Sequence, residues 1–93
     1  SQTMEYVGDV LEAAVPDEPA LIRLKNRFYV GDELEALTPA GSHPFTVGSM
    51  VLADTGQSVQ TASVAGTLLK LRFPFPVAPG DLLRGPNRNH QQG

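Results

Sequence analysis

The chain has 93 residues, 41% of them hydrophobic, and a formal net charge of −3, which indicates one domain that can bury a core without covalent or metal crosslinks. It contains no cysteine, which excludes disulfides, thiolate zinc sites and iron–sulfur clusters and suits a reducing cytoplasm. The acidic balance disfavours binding of nucleic acid by overall charge, so contact with RNA would need a local basic patch. With neither an apolar run of roughly 18 residues nor a signal-peptide pattern, we expect a cytoplasmic domain without membrane contact.

Strand patterns follow one another along the chain, and no window keeps the apolar spacing of an amphipathic helix. Strands are predicted at residues 4–14, 20–25, 32–37, 45–53, 58–62, 67–73 and 80–83. The first two flank a proline-containing turn and predict a hairpin. The prolines within residues 74–79 have no backbone N–H to donate to a neighbouring strand, which predicts an extended edge or crossover segment. Together these elements predict an all-β fold, a small six- or seven-stranded β-barrel that is closed or nearly closed.

A glycine–aspartate pair begins two of the predicted strands, as Gly31-Asp32 and again as Gly80-Asp81. Glycine can take the positive φ of a tight turn, and the following aspartate can accept hydrogen bonds from nearby backbone N–H groups. Each pair therefore predicts a turn that leads directly into a strand.

A longer motif surrounds the first pair. It reads Asn26-x-Phe28-x-x-Gly31-Asp32-x-x-Glu35-x-x-x-Pro39. Turn chemistry explains this spacing, since Phe28 can anchor the core beneath the turn, Asn26 can bind local backbone and Pro39 can end the strand. The alternative is that Asn26, Asp32 and Glu35 line a substrate surface.

Five of the seven basic residues lie on outward faces of two predicted strands. They are Arg23, Lys25 and Arg27, on or just after the second strand, and Lys70 and Arg72, on the sixth. One interpretation is a solvated face whose charges protect strand edges. The other is a phosphate-facing stripe that binds nucleic acid, which requires the two strands to be neighbours.

Residues of catalytic type are present without the motifs that would organise them. The types of a hydrolytic triad occur at His43, Ser49 and Asp54, but no nucleophile-elbow motif surrounds the serine. His43 and His90 lack a carboxylate at ligand spacing. Glu33 and Glu35 share one strand face and are interpreted as solvent-facing. We therefore predict no catalytic residue, no metal site and no cofactor in this chain.

Three segments, in order, resemble the C-terminal domain of the U-32 peptidase family. They are Tyr6-Val7-Gly8-Asp9-Val10, the motif from Asn26 to Pro39, and Pro76-Val77-x-Pro79-x-Asp81-Leu82-Leu83-Arg84. The resemblance implies a domain over residues 4–84, followed by a polar tail at 85–93 that we expect to be mobile. It is strongest to the transfer-RNA uridine hydroxylase branch, and it implies a β-barrel like the lid domains of translation elongation factors.

The resemblance also implies a function. The chain would be the non-catalytic accessory domain of a collagenase-like peptidase or RNA hydroxylase whose catalytic region lies elsewhere in the same polypeptide. Its partners would be that region and RNA, with weak phosphate contacts that position transfer RNA or another RNA. The alternative is a protein-interaction or dimerisation module that completes the enzyme's fold, with the apolar residues 71–79 as the contact.

Overall fold

The computed structural model describes residues 3–87. Within them the chain forms ten β-strands and no helix, so the all-β prediction is confirmed, and no helix able to cross a membrane occurs in this range. The strands are β1 (Met4–Val10), β2 (Pro19–Leu24), β3 (Phe28–Tyr29), β4 (Glu33–Thr38), β5 (Gly41–Thr46), β6 (Met50–Leu52), β7 (Ser58–Val59), β8 (Thr61–Ala62), β9 (Leu68–Arg72) and β10 (Leu82–Pro86). Of the expected polar tail, Gly85 and Pro86 belong to β10, and residues 88–93 lie outside the described residues.

Eight strands form one antiparallel sheet in the order β5-β4-β10-β1-β2-β9-β6-β7, while β3 and β8 form a second sheet. The predicted hairpin is present as β1 and β2, with Val10 opposite Ile22. Strands β5 and β7 are the two ends of the large sheet, and within residues 3–87 no strand pairing joins them. The predicted barrel, with six or seven strands and closed or nearly closed, is therefore wrong in its strand number and in its closed form.

The strand count is higher than predicted because β3 (Phe28–Tyr29) was not predicted and because the chain changes pairing partner inside two predicted strands. Residues 45–53 divide at Val47, whose N–H and C=O bind Asp32 O at 2.9 Å and Gly31 N at 2.8 Å. The chain pairs with β4 before this point and with β9 after it. Residues 58–62 divide in the same way, because β7 pairs with β6 and β8 with β3. The first division is followed by Gly48 and Ser49, after which the buried position shifts from Val47 to Met50, and the second has Gln60 between its two strands. Interruptions of one or two residues do not show from the sequence alone that the pairing partner changes.

Alternate side chains of the large sheet enclose one buried core. On β2, Ile22 is buried and Arg23 is exposed, and β9 repeats the pattern with Leu71 buried. The sheet curls so far that the Phe45 ring of β5 lies 4.9 Å from the Phe73 ring, which follows β9 directly. The core is thus held on the inside of the curl, and the opposite face of β2 and β9 is outer surface.

The proline-containing residues 74–79 cross from β9 to β10. Val77 pairs there with Ala14 through two backbone hydrogen bonds of 3.1 Å, which form an isolated bridge. The half-buried Phe75 ring packs 5.9 Å from both the Phe45 and the Phe73 rings. The apolar segment considered for self-association therefore turns this aromatic side chain towards the core.

Candidate functional site

The two glycine–aspartate pairs form the same corner. Gly31 and Gly80 have φ values of 95° and 92°, at which a side chain would be strained. The Oδ2 atom of Asp32 accepts from Tyr29 N at 2.9 Å, and that of Asp81 accepts from Ala78 N at the same distance. The N–H of Asp32 also donates to Tyr29 O, and the N–H of Asp81 donates to Ala78 O, both at 3.1 Å. These contacts close a β-turn with glycine at its third position.

Each corner is fastened to a buried valine by a pair of backbone hydrogen bonds. Gly80 N donates to Val10 O at 3.0 Å and Val10 N to Asp81 O at 2.9 Å, which repeats the pattern between the first corner and Val47. The strands that follow, β4 and β10, are antiparallel neighbours. The corners are therefore two copies of one structural unit, and they lie at opposite ends of this antiparallel strand pair.

An ion pair lies where the two copies meet. Glu35 and Arg84 each follow their corner glycine by four residues and lie opposite one another in the β4–β10 pairing. Arg84 Nε and Nη2 both donate to Glu35 Oε1, with the Nε contact at 3.0 Å. Hydrogen bonding by Arg84 is the main reason that the pKa of Glu35 lies below its usual value; burial opposes this effect, and the charge of Arg84 adds to it. The sequence analysis included Arg84 in the third family-like segment but gave it no role; its position four residues after Gly80, which matches that of Glu35 after Gly31, is the signal that indicates the pairing.

The remaining motif residues occupy structural positions. Asn26 Nδ2 donates to Tyr6 O at 2.8 Å, which ties the β2–β3 connection to β1. The Phe28 side chain is fully buried in the core. Pro39 lies at the exposed turn between β4 and β5. Glu33 shares its strand face with Glu35 and is exposed.

The predicted basic stripe is partly assembled by the fold. Strands β2 and β9 are antiparallel neighbours, as the stripe requires. Arg23, Lys70 and Arg72 share the outer face of this pair. Lys25 and Arg27 are exposed in the connection that follows β2. The structure thus brings three of the five cations together on one sheet face and leaves two beyond its end.

Two of the three cations on that face already have partners. Arg23 forms a two-point ion pair with Asp9 of β1, at 2.9 and 3.2 Å, and the arginine side chain is 51% exposed against 13% for the aspartate. Arg72 Nη1 donates to Asp17 O at 2.6 Å. The Asp9 carboxylate offsets the charge of Arg23, so this face is less positive than the count of basic residues suggests.

A groove of about 760 Å³ lies on the same outer face, beside β2, β6 and β9. Its lining includes aliphatic side chains, of which Val64 is 70% and Leu68 42% exposed. Three charged side chains complete it, Glu12, Asp54 and Lys70. Sequence reasoning missed this groove because Glu12, Asp54 and Val64 lie outside the strands and are brought together only by the sheet order.

The residues of catalytic type are dispersed. His43 lies on β5, with Nε2 3.2 Å from Thr38 Oγ1 and its ring 5.2 Å from that of Phe75. Asp54 lines the groove near the other end of the sheet order, and Ser49 precedes β6. Within residues 3–87, no three His, Asp or Glu side chains are grouped so that they could hold a metal ion; His90 lies outside that range.

Comparison with known proteins gives a family and a fold. Residues 2–84 match the family model for the C-terminal domain of peptidase family U32. Two crystal structures of the C-terminal domain of a Geobacillus thermoleovorans protein classed as a U32 peptidase are similar. The first, a selenomethionine variant, is 23% identical with a TM-score of 0.78 and covers 86% of this chain and 98% of that chain. The second is 24% identical with a TM-score of 0.80 and covers 89% and 93%. No curated protein matches.

Proposed function

The chain belongs to the family of U32 peptidase C-terminal domains, and from that premise we propose that it is a non-catalytic accessory domain that docks on the catalytic region of the same polypeptide. The observation that carries this proposal is the outer face of β2, β6 and β9, where exposed aliphatic side chains lie beside charges of both signs. Apolar patches with a polar rim mark protein contacts more often than contacts with nucleic acid.

The use of the acidic residues supports a scaffold role. Asp32 and Asp81 accept hydrogen bonds from corner N–H groups, and Asp9 and Glu35 pair with arginines. A general acid or base needs a carboxylate that faces substrate and can exchange a proton. These four carboxylates are instead committed to turns and strand pairs.

Cross-linking of the full-length protein tests the docking proposal, because this chain has only two lysines, Lys25 and Lys70. An amine-reactive cross-linker followed by mass spectrometry should link Lys70, at the groove, to the catalytic region. Lys25, beyond the end of β2, serves as the internal comparison and should link less. Efficient labelling of Lys70 without any link outside residues 4–84 would refute docking through this face.

A second candidate function is positioning of RNA, as in a member of the transfer-RNA uridine hydroxylase branch. The specific observation in its favour is the adjacency of β2 and β9, which gives Arg23, Lys70 and Arg72 one outer face. Weak phosphate contacts of this kind could raise the local concentration of RNA at a neighbouring catalytic region. The family resemblance also implies a closed barrel like the lid domains of elongation factors, which would fit this function. The open strand order of the large sheet does not support that likeness.

Binding of transfer RNA to the full-length protein tests this candidate. Reversing the charge at Arg23, Lys25, Arg27, Lys70 and Arg72 should weaken binding and reduce the slope of log affinity against log salt concentration by roughly 0.7 to 0.9 for each phosphate that is no longer neutralised. Because Arg23 forms an ion pair with Asp9, as Arg84 does with Glu35, a variant with Arg84 alone reversed controls for the loss of an ion pair outside the stripe and should bind transfer RNA as the parent protein does. Unchanged affinity and slope in the five-site variant would rule the stripe out.

A further inference from the structure

The groove beside β2, β6 and β9 has walls that are fixed by backbone hydrogen bonds. Val64 lies in a turn closed by Thr67, whose N–H and Oγ1 both donate to Val64 O, at 3.1 and 2.6 Å. That turn is fastened to the end of β2, since Gly66 N donates to Leu24 O and Leu24 N to Thr67 O. The exposed valine is therefore held in place at the groove by an ordered turn.

Two other sides of the groove, at Asp54 and at Glu12, are also held by backbone hydrogen bonds. Ala53 N donates to Leu68 O at 2.9 Å, which continues the pairing of β6 with β9 and fixes the approach to Asp54. Leu11 N donates to Leu21 O at 2.8 Å and keeps Glu12 beside β2. A groove that is formed in advance costs little ordering when a partner enters it.

The charges around the groove are not used in ion pairs. Within residues 3–87, the ion pairs join Arg23 to Asp9 and Arg84 to Glu35, and neither Glu12 nor Asp54 nor Lys70 takes part in one. Two carboxylates at an apolar groove attract a cation and repel a phosphate. The net charge of the chain, −3, acts in the same direction over longer distances.

From these features we propose that the groove binds a polypeptide segment in which aliphatic side chains are flanked by lysine or arginine. The aliphatic groups would cover Leu68 and Val64, the basic groups would meet Glu12 and Asp54, and Lys70 would meet a backbone carbonyl or carboxylate of the segment. This inference rests on the proposed docking role and gives it a location and a partner chemistry. A volume of 760 Å³ lies within the range of about 300–1,000 Å³ that is typical of ligand-binding clefts.

Titration of the ¹⁵N-labelled chain with synthetic peptides, followed by amide chemical shifts, tests the proposal. The probe is acetyl-Lys-Leu-Val-Leu-Lys-amide, and its comparisons replace both lysines with glutamate or all three aliphatic residues with serine. Only the first peptide should give saturable shifts at Ala53, Val64 and Leu68. Equal binding of the acidic or serine peptide, or shifts confined to other parts of the sheet, would overturn the proposal.

Substitutions then assign the charges. The double variant Glu12→Gln, Asp54→Asn should weaken binding of the basic peptide roughly three- to tenfold, the effect of removing two surface ion pairs. The double variant Glu18→Gln, Glu33→Gln removes the same amount of charge from exposed carboxylates that do not line the groove, and it should leave binding unchanged. The same weakening in both variants would mean that the peptide senses net charge alone and would refute a specific site.

Two further results separate this inference from the proposed function. Peptide binding at the groove, together with the absence of Lys70 cross-links to the catalytic region, would support the groove while refuting docking within the polypeptide. Cross-links from Lys70 without peptide binding would refute the partner chemistry and leave docking supported. Shifts of Val64 and Leu68 by transfer RNA in place of the basic peptide would overturn the inference in favour of the RNA function.

Discussion

Substitution of Gly31 by valine tests the role of the first corner. At a φ of 95° a β-branched residue is strained, while a Cβ atom there would have no neighbour within 4 Å, so the cost comes from the backbone and not from a clash. Such strain amounts to about 1–3 kcal/mol. For a domain of this size each kcal/mol lowers the melting temperature by about 4–8 °C, which gives a decrease of roughly 4–24 °C.

The chain offers a matched control at Gly48. This glycine is also exposed and also has no atom within 4 Å of an added Cβ, but its φ lies outside the positive range. Thermal unfolding followed by circular dichroism should show Gly48→Val within about 0.5 kcal/mol of the parent chain. Gly80→Val, at the second corner, should reproduce the destabilisation at Gly31. Equal melting temperatures for Gly31→Val and Gly48→Val would refute the argument from φ.

Three other predictions concern the carboxylates. Asp81→Ala removes the acceptor of Ala78 N–H and should lower the free energy of unfolding in urea by about 1–2 kcal/mol, whereas Asp81→Asn retains an acceptor and should be less destabilised; equal decreases would argue against the hydrogen bond. Arg84 lowers the pKa of Glu35 in the folded chain. The pair therefore stabilises the fold at pH values above the unfolded-state pKa of about 4.5, and this stabilisation should be lost as the pH falls through the lower pKa of the folded state. Urea unfolding at a series of pH values should therefore show a shallower decrease in stability towards acid for Glu35→Gln, and an unchanged profile would contradict the pair's role. If the RNA function is correct, Asp9→Asn should free Arg23 and strengthen transfer-RNA binding with a salt slope steeper by up to about 1; unchanged binding would show that Arg23 does not contact phosphate.

The sequence was sufficient to predict those features that depend on local chemistry. The positive φ of Gly31 and Gly80 and the acceptor role of the following aspartates could be read from turn preferences. The inward and outward faces of β2 and β9 followed from alternation. The family resemblance was likewise correct at the level of the U32 C-terminal domain.

Features that depend on which strands become neighbours could not be predicted in this way. The corner at Val47 is marked in the sequence only by the two residues that follow it, Gly48 and Ser49, and it exists because Gly31 and Asp32 bind its backbone. The pairing of Arg23 with Asp9 depends on the register of β1 against β2. The groove needs Glu12, Asp54 and Val64 to converge from three connections. In each case the decisive contact joins residues that are distant in sequence.

The relation between the two corners bears on whether Glu35 faces a substrate. Equivalent positions meet across the β4–β10 pair, so identical charges there would lie opposite one another and destabilise the sheet. Glutamate in the first copy and arginine in the second convert that repulsion into an ion pair. Glu35 is therefore explained by its neighbour Arg84, just as Asn26 is explained by Tyr6 O and Asp32 by Tyr29 N. All three residues that could have lined a substrate surface are used to join strands, which directs the search for binding chemistry to the outer face of β2 and β9.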